Sequence, residues 1–254
     1  MARGDGGPSS EDMNKSNNPL TPSLGLNFQD QYVHSYYRLD PDTDGNSGLY
    51  RATVPFRLFG LPQLARLTVP VVTSPDEPNP PGSTTGFGDI NLLDIFLFRA
   101  GPLELGVGPQ VTFPTAQDPR LGTGKWQAGA AATVVSAHSW GLLGALVTYQ
   151  RSFAGHDGTR DRQSAIQTQP FVIVNLPAAF YLRSTATMNF DLIGSDYFIP
   201  IGLGLGKVWK LSNGTKINLF AEPQYTFWHD GLAPQWQVFM GLNFQLPLTV
   251  KTEN

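Results

Sequence analysis

Four histidines and two serine–histidine neighbours are the first candidates for chemistry in this sequence. His34, His138, His156 and His229 offer the side chain most used as general base and metal ligand, but their spacing matches no metal-binding pattern. His156-Asp157-Gly158 and His229-Asp230-Gly231 are the same tripeptide, and both read as polar turns. Ser152 with His156, and His138 with Ser139, suit an activated hydroxyl nucleophile, yet neither pair has an obvious third member. Gly122-Thr123-Gly124-Lys125 has part of a phosphate loop without its spacing or its following Ser or Thr. Asn213-Gly214-Thr215 matches a glycosylation acceptor, but Asn-Gly is also a strong hairpin signal. With no cysteine, thiolate chemistry, disulfides and cysteine metal sites are excluded. The expectation is no enzyme, no cofactor and no metal.

The remaining polar groups are organised by period two. In Tyr197 to Trp209, Tyr197, Ile199, Ile201, Leu203, Leu205 and Trp209 take one side, and Pro200, Gly202, Gly204 and Gly206 the other. The stretches 102–114, 216–228 and 236–248 alternate in the same way. Each is longer than the five or six residues typical of soluble strands and long enough for the roughly 9–11 that a tilted strand needs to cross a bilayer. Twelve such segments can be counted: 22–33, 47–59, 61–74, 87–99, 101–114, 124–137, 139–153, 163–175, 178–192, 196–211, 215–229 and 235–249. Tyr197, Trp209, Trp228 and Trp236 lie near segment ends, as interfacial aromatics do. Short connections, such as Gly60, Ala100 and Ser212-Asn213-Gly214, mostly alternate with longer polar ones, such as 34–46, 74–86, 115–124, 154–162 and 229–234. That asymmetry is the one between periplasmic turns and external loops.

These features predict an all-β fold, a transmembrane antiparallel β-barrel of about 12 up-and-down strands over 22–249. Strands with lipid-facing exteriors leave no place for an unpaired edge in hydrocarbon, so the sheet must close. A soluble β-sandwich is the competing architecture, and it does not account for so many strands of this length. Residues 1–21 read as a flexible polar tail; between a partial lumen plug and a segment hanging free in the periplasm, the free segment is favoured. Residues 250–254 form a short tail. Both termini are then periplasmic, in the outer membrane of a Gram-negative cell.

Composition agrees. The chain of 254 residues is 41% hydrophobic and 15% charged, with 27 Gly and 21 Pro, which suit turns and bends better than helices. A net charge of -3 excludes the basic excess of a nucleic-acid binder. No apolar run approaches the length of a helical membrane span. Met1 to Leu20 lacks the apolar core of an export signal.

If the apolar faces meet lipid, the polar faces line a lumen. The lumen or solute-pathway candidates are Arg57, Arg66, Asp89, Glu104, Gln110, Arg151, Arg183, Asp191, Lys207 and Glu222. Asn91, Gln150, Asn189, Lys216 and Gln224 share the polar faces. Asn91 and Asp94 fall on opposite faces, which predicts a bulge or an early exit from the membrane near them. Arg151 is out of phase with Gln150 and close to the outer end of its strand. The mixed charges suit either interlocking pairs that fill the barrel or a narrow passage that selects solute. The inward glycines 106, 108, 129, 202, 204 and 206 either leave room for solute or let the sheet bend.

Several motifs resemble a known group. They are Thr85-Gly86-Phe87-Gly88-Asp89-Ile90, Pro114-Thr115-Ala116, Leu121 to Gly129, Tyr149 to Gly155, Gln169-Pro170-Phe171 and Ile199 to Val208. Their order and spacing over roughly 47–248 are similar to those of the bacterial outer-membrane family of phenol-degradation meta-pathway proteins and transporters. The resemblance implies an outer-membrane barrel that takes up aromatic or other hydrophobic compounds, with Asp89, Lys125, Trp126, Arg151 and Lys207 as motif residues. Its partners would be outer-membrane lipid and lipopolysaccharide, the barrel assembly machinery and a small-molecule solute. The C-terminal Val250-Lys251-Thr252-Glu253-Asn254 departs from the terminal aromatic expected of that group. A plugged structural or surface-interaction barrel is the alternative function, and a lipid-modifying outer-membrane enzyme a further one.

Overall fold

A computed structural model describes residues 7–40, 43–76, 82–155 and 162–247. The chain is an all-β, closed antiparallel barrel of twelve strands whose neighbours are mostly sequential. Nine strands are continuous: β1 (Leu24–Tyr37), β2 (Gly45–Leu58), β3 (Leu61–Pro75), β6 (Leu103–Thr112), β7 (Lys125–His138), β8 (Gly141–Gly155), β9 (Ser164–Asn175), β14 (Lys216–Asp230) and β15 (Ala233–Leu246). The other three are each split in two: β4 (Ser83–Phe87) with β5 (Asn91–Ala100), β10 (Phe180–Ser184) with β11 (Met188–Asp191), and β12 (Tyr197–Gly202) with β13 (Gly204–Lys210). The barrel closes where β1 pairs with β15, from Leu24↔Leu246 to Tyr37↔Ala233. Closure satisfies the backbone donors and acceptors that an edge would leave bare in lipid.

The splits have local causes. In β10–β11 the Thr185 amide turns inward and donates to Glu222 Oε1 at 2.7 Å, so it is lost to the strand ladder. The neighbouring ladder is interrupted at the same level: β10 pairs with β13 up to Arg183↔Gly204, and β11 with β12 from Asn189↔Phe198. In β4–β5, Gly88 to Ile90 leave the sheet to meet the loop after β6. The β5–β6 ladder skips Asp94 and Ile95 opposite Gly108 and Pro109. Pro109 has no N–H to give, and a Cβ on Gly108 would run into the Asp94 carbonyl. The irregularity expected near Asp94 is therefore present, and Asn91 and Asp94 do face opposite sides of the wall.

The outer face carries an exposed apolar belt that includes Phe28, Val54, Leu67, Val107, Val147, Leu205 and Leu219. Trp140 and Trp209 stand at its short-turn edge, and Trp126, Phe153, Trp228 and Trp236 at its long-loop edge. A continuous belt of this kind belongs in lipid. Asp230 and Ala233 are joined by a two-residue turn at Gly231-Leu232, tighter than the loop expected at 229–234.

The segment before β1 departs most from the sequence reading, which favoured a free tail. Ser10–Asn17 forms helix α1, capped by Ser9, whose hydroxyl accepts from the Asp12 amide while Asp12 accepts from the Ser9 amide. Eight residues are too few for a stable helix in water, so its surroundings hold it. Met13 and Leu20 are buried among Leu93, Ile95, Val135, Leu142, Phe171, Tyr181 and Phe220, all from the barrel wall. The helix plugs the end of the lumen that carries the short turns.

Candidate functional site

The plug is fastened to several strands at once. Asn14 donates to the His138 carbonyl at 2.8 Å and accepts from Asn175 at 2.9 Å. Asn218 donates to Ser16 and Asn17, and Gln245 donates to the Lys15 carbonyl. Asn18 donates to Glu104 Oε2 at 2.8 Å. Asp12 meets Lys210 at 2.9 Å and Lys216 at 3.3 Å. Burial alone would raise the Asp12 pKa, but the hydrogen bonds from Lys210, Ser9 and Lys216 outweigh it and hold the carboxyl at about 2.

The inward glycines are filled rather than open. A Cβ on Gly206 would strike the Tyr181 ring, one on Gly202 would strike Glu222, and one on Gly241 would come 2.7 Å from Phe220. Gly106 receives Leu20, whose Cδ2 lies 2.7 Å from the Cβ position. Missing side chains on one strand thus make room for large ones from its neighbours and from the plug segment.

Above the plug the wall mixes polar and apolar side chains and two adjoining chambers remain, of about 200 Å³ and about 270 Å³. Arg51, Arg66, Leu146, Gln169, Thr185 and Phe239 line both. One wall holds a charged cluster. Arg183 Nε donates to Glu222 Oε2 at 2.7 Å, with its guanidinium 3.5 Å from the centre of the Phe220 ring. Glu222 also accepts from the Thr185 hydroxyl and from Gln224 at 3.1 Å. Gln237 donates to Gln224 at 2.8 Å, and Gln31 to Gln237 at 2.7 Å. Each amide donates to the next group, so the chain of dipoles ends on the carboxylate that neutralises Arg183.

Of the ten candidate residues, the structure brings Arg66, Gln110, Arg183 and Glu222 to the lumen. Glu104 faces the plug. Arg57 lies exposed at the short-turn rim, where it donates to the Gly60 carbonyl at 3.1 Å. Arg151 is exposed on the outer face. Lys207 is corrected to the outer face: it shares the parity of Leu205 and sits 4.3 Å from the Phe180 ring centre and 5.5 Å from that of Trp209. Asp191 is the last residue of β11 and accepts from the Ile193 amide in the turn that follows. Asp89 lines neither chamber and pins the 113–124 loop, accepting from Ala116 N at 3.1 Å, Thr123 N at 2.7 Å and Thr123 Oγ1 at 2.9 Å. The most prominent group absent from the candidates is Arg51. It has the inward parity of Arg57 in the same strand, a signal that the sequence does contain.

Of the hydroxyl–imidazole candidates, His138 meets Ser136 and not Ser139 among the described residues. His138 Nε2 is 3.0 Å from Ser136 Oγ and the ring stacks on Trp140. Ser152 accepts from the Gln163 amide at 2.9 Å, and His156 lies outside the described residues. Among the described residues no cluster of three potential metal ligands occurs.

No family model matches the sequence, and no curated protein matches it either. The fold is similar to the crystal structure of an outer membrane channel from Pseudomonas putida F1. That match has a TM-score of 0.70 at 15% identity and covers 97% of this chain and 99% of that one. The β-domain of a Bordetella autotransporter gives 0.46 at 13% identity over 87% of this chain and 99% of its own. A Salmonella typhi outer membrane phospholipase gives 0.40 at 10% identity over 97% and 99%. At 15% identity the likeness to the channel is one of fold, that of an outer-membrane β-barrel.

Proposed function

We propose that this chain is an outer-membrane channel for a small solute, aromatic or otherwise hydrophobic, and that the structure is its plugged state. The observation that carries this reading is the pair of chambers, lined by both polar and apolar groups, inside a lipid-belted barrel closed at one end by a short helix held through polar contacts. A barrel serving only as a wall would gain nothing from leaving its middle unfilled. The fold it shares with the Pseudomonas putida channel supports the same reading. In this orientation the short turns, the plug and both termini face the periplasm, and the external loops lie at the far end. The family resemblance drawn from the glycine-rich motifs is kept as part of this proposal and extends it to uptake of aromatic compounds.

The reading assigns no catalytic step. It is tested by reconstituting the full chain in planar bilayers and in vesicles loaded for uptake of an aromatic panel. Brief discrete openings and measurable uptake are expected. A silent bilayer together with no uptake would favour the structural alternative.

A further inference from the structure

Arg51 and Arg66 are the chamber-lining charges that no carboxylate meets among the described residues. No Asp or Glu lines either chamber there, and the third arginine, Arg183, is already neutralised by Glu222. The two are diagonal neighbours on adjacent strands, since Arg51 pairs with Thr68 and Thr53 with Arg66. Arg51 donates to Gln29 through Nη1, a neutral partner. The Nε atoms of both arginines are buried without any hydrogen-bond partner. A charge drawn out of water without a counter-charge is costly, and two side by side repel each other. The arrangement is therefore short of one anion.

The rest of the lining specifies what that anion carries. Leu146 and Phe239, each only partly buried, present apolar surface to both chambers beside the arginines. A simple inorganic anion would satisfy the guanidinium groups and leave that surface unused. A cation would be repelled, and a neutral molecule would leave both charges uncompensated. Two forked guanidinium groups match the planar, two-oxygen geometry of a carboxylate.

We propose that Arg51 and Arg66 together hold the carboxylate of a small organic anion whose apolar body rests on Leu146 and Phe239. This deepens the passage reading and rests on it. Both arginines line both chambers, so the carboxylate sits where the chambers join and forms a weak binding step along the route.

Binding is measured on the full-length protein in detergent by isothermal titration, with benzoate, benzyl alcohol, benzylamine and inorganic phosphate as probes. Benzoate is expected to bind saturably, at least ten-fold tighter than benzyl alcohol or benzylamine. Phosphate should compete only at much higher concentration. The Arg51→Gln/Arg66→Gln double variant should weaken benzoate at least ten-fold, with Arg151→Gln on the outer face as unaffected control. Equal binding of benzoate and benzyl alcohol to the unaltered protein overturns the proposal without need of any variant, whatever the double variant's folding. Displacement by phosphate at equal concentration reduces the site to a plain anion site and overturns the organic class. Failure of conductance with benzoate binding intact removes the channel reading and leaves this site standing; the reverse result removes the site alone.

Discussion

Arg183 Nε and Glu222 Oε2 stand 2.7 Å apart, with the two side chains 8% and 0% exposed. The pair is the most deeply buried charge contact among the described residues, and it joins β10 to β14 across the intervening β13. Phe220 lies under the guanidinium, and Thr185 supplies two further donors to the carboxylate. Such pairs are costly to assemble and costlier to halve.

Glu222→Gln should therefore destabilise the barrel by about 3–5 kcal/mol, because it leaves Arg183 charged and buried without a counter-charge. The readout is urea unfolding in detergent, followed by the shift between folded and heat-denatured mobility on gels. Replacing both residues with leucine should cost less than the single glutamine change. If Glu222→Gln unfolds at the same urea concentration as the unaltered protein, the pair contributes nothing to stability.

Asp12 makes the plug sensitive to acid in one direction only. Its carboxyl is held at about 2 against an ordinary value of 3.8, so the native state binds its proton less readily than the unfolded chain. The contribution is fully present above about pH 4 and is lost as the pH falls through about 2. Plug release, read as a rise in open probability in bilayers, should not change between pH 7 and pH 4 on account of this group, and should rise below that. Asp12→Asn should show the raised open probability already at pH 7 and lose the acid dependence, since it gives up both lysine contacts.

The glycine faces lead to a packing test. Tyr181 is fully buried, and its ring occupies the space that a Cβ on Gly206 would need. Gly206→Val should cost about 1–3 kcal/mol through overpacking. A second change, Tyr181→Ala, should recover part of that loss by emptying the contested volume. The measurement is the unfolding midpoint of the two single variants and the double. Simple additivity would mean that the two positions do not compete.

The strands were legible because alternation survives even where a strand is broken. Thr185 and Thr187 are good strand residues and no Gly or Pro stands at the break, so it follows from Glu222, which lies 37 positions from Thr185. The plug was half legible. Ser9 and Asp12 have capping-box spacing, but the segment around them is polar and reads as a tail. Its partners, from Glu104 to Gln245, come from distant strands that only closure brings together. Lys207 was misplaced for a different reason. Its charge suggested the lumen, while its parity put it beside Leu205 on the lipid face, where an interfacial lysine can reach water along Phe180 and Trp209.

The two most distinctive glycine-rich motifs meet at Asp89 and account for one another physically. Its carboxylate binds Ala116 and Thr123, while Thr115 Oγ1 accepts from the Ile90 amide and donates to the Gly88 carbonyl. A Cβ on Gly122 would come within 2.7 Å of the Asp89 carboxyl carbon, and one on Gly86 within 2.6 Å of Gln117 Oε1. The motif glycines are thus what allows the 113–124 loop to lie against the β4–β5 break. Hydrogen bonds to a charged group contribute about 1.5–3 kcal/mol each at most, so the loop depends heavily on one side chain. Asp89→Ala should free the loop while leaving the barrel's heat-modifiable mobility intact. Hydrogen exchange at the Ala116 and Thr123 amides should then accelerate about ten-fold or more, and limited trypsin digestion should cut after Arg120 in the variant before it does so in the unaltered protein. Unchanged exchange at both amides would show that the Thr115 and Gln117 contacts hold the loop without Asp89.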